Sequence, residues 1–236
     1  MRQRSLTDRT AAPQPGYWLV PGPDMLAATG AAADFAALAA QWELLPADPY
    51  LSGAAPFRFR RHGQVIFDAD ADELTVLPPA DYLQAAANNS LFGGMARRFA
   101  PVDWTPAVTR ALTALVRHGV VRILGLPGRT LINLHQIRVI GGPRHAGTPV
   151  PEGVHRDGFD FISIHLIGRD VDSGGETTLL ADDGHVVTTT LTEPMDAVYV
   201  DDRRFRHDTT AIAGHGREVR RDVLLMSFER SGTHGY

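Results

Sequence analysis

A chain of 236 residues with 44% hydrophobic and 21% charged residues suits one globular domain of generous size, able to bury a full core. A net charge of -4 gives no electrostatic case for nucleic acid or an anionic membrane, and no segment is apolar for long enough to span a bilayer. The absence of cysteine excludes disulfides, a thiolate nucleophile, an Fe–S cluster and Cys-ligated zinc, so any metal must be held by His, Asp or Glu.

Residues 1–16 carry Arg, Thr, Gln, Pro and Gly and read as a loose arm. The basic start is followed by no long apolar core, so it is not a secretory signal, and a cytoplasmic protein is expected. Pro23-Asp24 opens an alanine-rich helix running to Trp42 or Leu44, with Leu26, Phe35, Leu38, Ala39 and Trp42 at helical spacing, Gly30 as its weak point and Pro46 as its stop. Arg58 to Phe67 alternates and predicts a hairpin turning at His62-Gly63. A short helix is expected near 80–87, then a polar turn over Asn88–Gly94. Trp104-Thr105-Pro106 starts a helix whose apolar stripe, Val108, Leu112, Leu115 and Val116, ends at Gly119. From there the texture becomes strand-like: Val120–Leu124, Ile132–Ile140, Phe159–Ile167, Thr177–Leu180, Val186–Leu191, Ala197–Val200 and Val223–Phe228. Short strands at regular spacing predict an all-β barrel or sandwich, with helices over 17–119 and the β core over 120–230, in a single domain spanning 17–236.

The stretch Pro149-Val150-Pro151-Glu152-Gly153-Val154-His155-Arg156-Asp157-Gly158 carries the chemistry. In extended backbone residues i and i+2 share a face, so His155 and Asp157 point the same way. Two His and one carboxylate on one face, with the opposite positions open, is the arrangement of non-heme Fe(II) oxygenases. His207 is the preferred third ligand because it begins an extended stretch shortly before the final strand. Of the ten histidines, His135, His165, His185 and His215 remain candidates for that place, the first two reading as core histidines and the last two as turn residues. A plain surface role is the competing reading for His155 and His207 alike. An arginine at the mouth of a barrel clamps a dicarboxylate through its planar fork, and Arg217, Arg220 and Arg221 all stand at the start of the last strand. Arg221 shares a face with Val223, Leu225 and Ser227, and Arg220 the other with Leu224, Met226 and Phe228.

These residues carry a resemblance. Pro151–Phe161, Gly174-Gly175-Glu176, His207 and Arg221-Asp222-Val223-Leu224 with Phe228 resemble bacterial 2-oxoglutarate/Fe(II) dioxygenases that hydroxylate free L-amino acids, of the L-isoleucine 4-hydroxylase type. Leu45–Leu51, Arg58–Arg61 and Asn88–Arg98 look similar too. The resemblance implies a mainly β fold with flanking helices (α+β): a double-stranded β-helix, or cupin-like jelly roll. It implies iron held by His155, Asp157 and His207, and 2-oxoglutarate held by Arg221, with Arg217 as the alternative nearer the distal His. It also implies O2 as oxidant, ascorbate as a stimulant, and decarboxylation of 2-oxoglutarate to succinate and CO2 coupled to hydroxylation of an unactivated C–H bond. A free amino acid needs partners for its carboxylate and its ammonium, and Arg138 or Arg144 is the candidate for the first. The Gly-rich loop Gly141–Pro149 has the length of a lid. Competing readings are a hydroxylase of a peptide or carrier-bound amino acid, a zinc hydrolase using the same ligands, and a non-catalytic metal-binding jelly-roll module.

Overall fold

The computed structural model describes residues 16–51, 56–143 and 145–230. The expected loose arm, apart from Gly16, lies outside these residues, as does Arg144. Strand β1 (Tyr17–Val20) leads into two helices, α1 (Gly22–Thr29) and α2 (Ala32–Ala40), and a 3-10 turn, Gln41–Leu44. The single helix expected here is thus broken at Gly30, whose φ of 64° turns the chain while its N–H caps Leu26 O at 3.0 Å. The expected hairpin at His62-Gly63 is instead one unbroken strand, β2 (Arg58–Asp68), and the reversal comes after Asp68, before β3 (Glu73–Val76). β2 pairs along its whole length with β5 (Arg129–Gly141), and those ladder bonds override the turn-like composition of His62-Gly63. No helix forms at 80–87. There the backbones of Tyr82 and Arg97 bond each other (2.8 and 3.0 Å), and turns cover Ala86–Gly94.

Helix α3 (Pro106–Arg117) follows the short strand β4 (Ala100–Pro101). The Thr105 hydroxyl accepts from Val108 N at 3.4 Å and Pro106 occupies the first turn. Val108, Ala111, Leu112, Leu115 and Val116 are buried at i, i+3, i+4, i+7 and i+8, one stripe facing the sheet. The strand expected at Val120–Leu124 is a π-helical turn, His118–Leu124, continuing α3 and closed by Gly125 in the left-handed region. Among the described residues no helix is long and apolar enough to cross a membrane.

The remaining strands are β6 (Phe161–Asp170), β7 (Glu176–Ala181), β8 (Val186–Thr190), β9 (Ala197–Asp201), β10 (Phe205–Thr209) and β11 (Val219–Arg230). The major sheet runs β1-β9-β6-β11-β5-β2-β3, with β4 parallel to β2, and the minor sheet runs β10-β7-β8. Strand alternation gives the major sheet two different faces. Ile132, Leu134, Leu224, Met226 and Phe228 pack under the α3 stripe. Ile162, Ile164, Leu166, Val198, Val200 and Val223 meet Leu179 and Phe205 of the minor sheet. Two sheets enclosing one apolar layer, helices outside, make the expected double-stranded β-helix. Arg221 lies on the inner face with Val223, and Arg220 on the outer.

Candidate active site

The loop joining β5 to β6 delivers His155 and Asp157 to the open end of this sandwich. Asp202, just past β9, accepts hydrogen bonds from the backbone N–H groups of Asp157 (3.1 Å), Gly158 (2.6 Å) and Phe159 (3.0 Å). Three donors on one carboxylate fix the turn behind the His-x-Asp pair. Gly158 completes it at φ +89° with Asn88 packed against its α-carbon, so any side chain there meets both strain and a clash. The backbones of His155 and His207 bond each other (3.1 and 2.8 Å), setting their rings 4.4 Å apart.

His155, Asp157 and His207 bring one ligand-type atom each within 4.8 Å of one another. His155 Nε2 lies 3.4 Å from Asp157 Oδ1, and His207 Nε2 lies 3.8 Å from Asp157 Oδ2. His155 Nδ1 is 2.9 Å from Gly153 O, a contact in which Nδ1–H donates and which turns Nε2 toward Asp157. Asp157 Oδ2 is buried with no hydrogen-bond partner among the described residues. An unpartnered carboxylate oxygen between two imidazoles is what a divalent cation satisfies, so the donor set fits a facial two-His-one-carboxylate metal.

Protonation follows the same geometry. Burial pushes the His155 imidazole down, but the hydrogen bond and charge of Asp157, with Glu152, outweigh it and raise the group to about 9. Burial alone dominates at His207, lowering it to about 4. Burial also works against the Asp157 carboxylate, yet the two imidazoles hold it below the usual carboxylate range. The pocket thus sets one carboxylate beside one protonated imidazole, that of His155, and a metal held there would displace that proton.

Gln84 supports the centre, and sequence reasoning missed it. Its Nε2 donates to Asp157 Oδ1 at 2.9 Å, while its Oε1 accepts from Asn89 (3.0 Å) and Arg97 (2.7 Å), which fixes the amide's orientation. Asn89 also donates to Glu152 Oε1 at 3.1 Å.

The triad opens on a cavity walled by β2, β5 and β11, where the register places Arg58, Val139 and Arg221 in one cross-strand row and Arg60, Ile137 and Val223 in the next. Arg221 is 3% exposed, and its Nε and one Nη have no partner among the described residues. Burial, then the nearby Arg169 charge, lowers its guanidinium to about 10. Gly175, at φ +75°, leaves the room its side chain occupies: a Cβ there would stand 3.2 Å from Arg221 Cδ. The two alternative arginines are engaged elsewhere. Arg217 is exposed and bonded to Asp170 (2.7 Å) and Asp172 (2.7 Å), and Arg220 is exposed and paired with Glu43 at 3.3 Å. Arg138 does not reach the cavity, contrary to expectation. Strand alternation turns it to the outer face, where it binds Asp222 (2.8 Å) and Glu43 (2.8 Å). Of the other histidines, His135 accepts from Arg60 at 2.9 Å, His165 contacts Ser163 at 3.1 Å, and His185 and His215 are exposed.

The sequence profile of the 2OG-Fe dioxygenase family matches residues 39–227. The chain is similar to the crystal structure of a bsmA homolog from Methylobium petroleophilum PM1, at 28% identity and a TM-score of 0.76 over 93% of this chain and 90% of that one. It shares its fold with IDO from Bacillus thuringiensis, at 18% identity and a TM-score of 0.72 over 92% of this chain and 94% of that one. It does so too with the Fe(II)/(alpha)ketoglutarate-dependent dioxygenase TqaL, at 20% identity and a TM-score of 0.68 over 94% and 86% of the two chains. No curated protein sequence matches the chain. A family profile that runs from α2 to β11, on a jelly roll holding a His-Asp-His cluster, leads to one conclusion: the chain belongs to the 2OG-Fe dioxygenase family and is a 2-oxoglutarate-dependent oxygenase.

Proposed function

We propose that the protein hydroxylates an unactivated C–H bond of a free L-amino acid or a small amino acid derivative, with His155, Asp157 and His207 holding Fe(II) and Arg221 holding 2-oxoglutarate. The observation that carries the reading is Arg221: a buried guanidinium with no ion-pair partner among the described residues, on the inner wall of the cavity that the triad lines. A lone buried cation is costly, and a dicarboxylate reaching from the metal repays that cost through a two-pronged hydrogen bond. The match over 39–227 crosses both the helical half and the sheets, which supports reading 17–236 as one catalytic domain.

With iron, 2-oxoglutarate and O2 bound, the chemistry supplied is decarboxylation to succinate and CO2, one oxygen atom entering succinate and the other the substrate C–H bond. The chain's own residues position and exclude. His155, Asp157 and His207 would hold the metal from one side and leave its other side open to 2-oxoglutarate and O2. Gln84 and Asp202 hold Asp157 and its turn in place. Ile137, Val139, Ile164, Val223 and Leu225 give the cavity a dry aliphatic wall against which an apolar side chain packs. No side chain is needed as a general base, because the hydrogen leaves carbon by oxidation rather than by proton transfer.

The test is succinate formation from 2-oxoglutarate with Fe(II), ascorbate and O2, screened across the free L-amino acids and repeated with His155→Ala. Turnover raised by an amino acid and abolished by the substitution is the expected result. Metal-dependent 2-oxoglutarate binding with no amino acid raising turnover would refute the free-amino-acid reading in favour of a peptide or carrier-bound substrate.

A further inference from the structure

Three guanidiniums from outside the final strand line this cavity. Arg58 binds the buried Asp48 at 2.8 Å, and Arg97 is tied to the network that supports Asp157, giving an Nη to Gln84 Oε1 at 2.7 Å while its Nε has no partner among the described residues. Arg60 is tied to neither. It is 8% exposed, and among the described residues it forms no ion pair. Its Nε and one Nη reach only the ring nitrogen of His135 (3.3 and 2.9 Å), a histidine that burial and then the Arg60 charge keep neutral. Its guanidinium carbon stands 4.4 Å from the centre of the Phe99 ring, a face that favours a cation without neutralising it. Burial, followed by the charge of Arg58, brings the Arg60 guanidinium down to about 10.

One anion cannot serve both Arg60 and Arg221. They stand on β2 and β11 with β5 between them and in successive cross-strand rows, so their backbones are two strand spacings apart across the sheet, about 10 Å, and a further two residues apart along it. An oxo acid stretched from the triad to Arg221 has no carboxylate left for Arg60. A complementary group waits in the same cavity. Glu152 has its Oε1 held by Asn89, while its Oε2 is buried with no partner among the described residues. Asn133 and Ser227 lie further along the inner sheet face and bond each other at 3.2 Å, so they offer neither charge.

We propose that Arg60 binds the α-carboxylate and Glu152 the α-ammonium of the substrate, so that the site selects a zwitterion carrying an apolar side chain. The assignment rests on the functional reading above and deepens it. It moves the substrate-reading role from Arg138, which the outer face occupies, to a residue of the first long strand. The aliphatic wall of Ile137, Val139 and Val223 lies between the two cationic places, where the side chain to be oxidised packs.

The test is calorimetric titration of the full chain loaded with Mn(II) and 2-oxoglutarate, which reports binding without turnover. The probes are L-valine, L-leucine, L-isoleucine and L-methionine, the α-amide of each, and the 2-hydroxy acid of each. The wild type is expected to prefer an amino acid over both analogues. Arg60→Met should weaken amino acid binding by roughly 30-fold or more and erase the preference over the amide, with Arg60→Lys restoring part of it. Glu152→Gln should erase the preference over the hydroxy acid. Arg60→Met should keep Mn(II) and 2-oxoglutarate affinity within about twofold of wild type, whereas Glu152→Gln, whose Oε1 stands 3.9 Å from His155 Nε2, is read only by its ratio of amino acid to hydroxy acid affinity. Discrimination over the amide that survives in Arg60→Met overturns the assignment, as does discrimination over the hydroxy acid that survives in Glu152→Gln, or loss of Mn(II) or 2-oxoglutarate binding in Arg60→Met. Failure of the wild type to bind 2-oxoglutarate at all would instead overturn the underlying functional reading, so the two failures are distinguishable.

Discussion

Replacing Arg221 with methionine tests the cavity from both directions, because stability and ligand binding should move oppositely. The guanidinium is buried with no ion-pair partner among the described residues, and burial, then the Arg169 charge, brings it down from the usual arginine range to about 10, a penalty on its charge. At about 1.4 kcal/mol per pKa unit that penalty is about 3 kcal/mol. Methionine keeps an apolar stem of similar length and removes the charge, while the small void it leaves takes back about 1 kcal/mol. The net gain is about 2 kcal/mol, or a rise in Tm of about 4–8 °C for a chain of this size. Saturating 2-oxoglutarate with Mn(II) should raise the wild-type Tm further, by the equivalent of about 2.7 kcal/mol at a hundredfold excess over Kd. In Arg221→Met that ligand-induced shift should vanish, while Mn(II) alone still binds. Differential scanning calorimetry reads all of these. A variant less stable than wild type, or one with an undiminished 2-oxoglutarate shift, would refute the argument that Arg221 is an unpaired cation awaiting a carboxylate.

Gln84→Leu removes the amide that orients Asp157, so Mn(II) affinity is expected to fall by about 10- to 100-fold; unchanged affinity by titration would remove Gln84 from the supporting shell. His165 is fully buried and lowered to about 3, by burial first and the His118 charge second, so it stays neutral in the fold. Its unfolded counterpart titrates near 6.5, so the unfolded chain takes up the proton first as pH falls. The stability is fully present above pH 6.5 and declines from there toward pH 3, by up to about 1.4 kcal/mol per pH unit. The difference between urea midpoints at pH 7 and pH 5 should therefore shrink in His165→Asn, with His62, His135 and His207, also lowered by burial, supplying the remainder, and an undiminished difference in that variant would reject this origin. Leu112, without exposed surface under the sheet, should cost about 2–5 kcal/mol as Leu112→Ala, read by the same denaturation.

The site's legibility in the sequence depended on which residues alternation could order. His155 and Asp157 were readable because a two-residue period puts them on one face. Arg221 needed one further fact, the face of β11 that turns inward, and its parity with Val223 supplies it once the sheet is seen. Arg58, Arg60 and His62 repeat at the same period, a polar face within a strand, but the Gly after His62 suggested a turn and hid the pattern. Gln84 and Glu152 gave no signal. Both stand in irregular segments, where position comes from tertiary hydrogen bonds rather than from any period. The helical half misled for a related reason. Val120, Val121 and Ile123 favour a strand when read locally, yet the end of α3 carries them into a π turn, so that context outweighed propensity. Arg138 failed as a substrate residue because a single step along β5 exchanges the cavity for the outer face.

The mutual backbone pairing of His155 and His207 has a consequence for how the chain comes apart. The two residues stand roughly 50 positions apart, and that intervening length holds β6 through β9 and the start of β10. A cation held by both rings would draw the two ends of that span together only in the fold, and would stabilise it by mass action, about 2.7 kcal/mol at a hundredfold excess over its Kd. A metal held there would be a mechanical staple as well as a reactive centre. It would tie the three-stranded sheet, through His207, to the loop that feeds the larger one, through His155. Iron supply and the lifetime of the folded state would then be linked through one pair of neighbouring histidines.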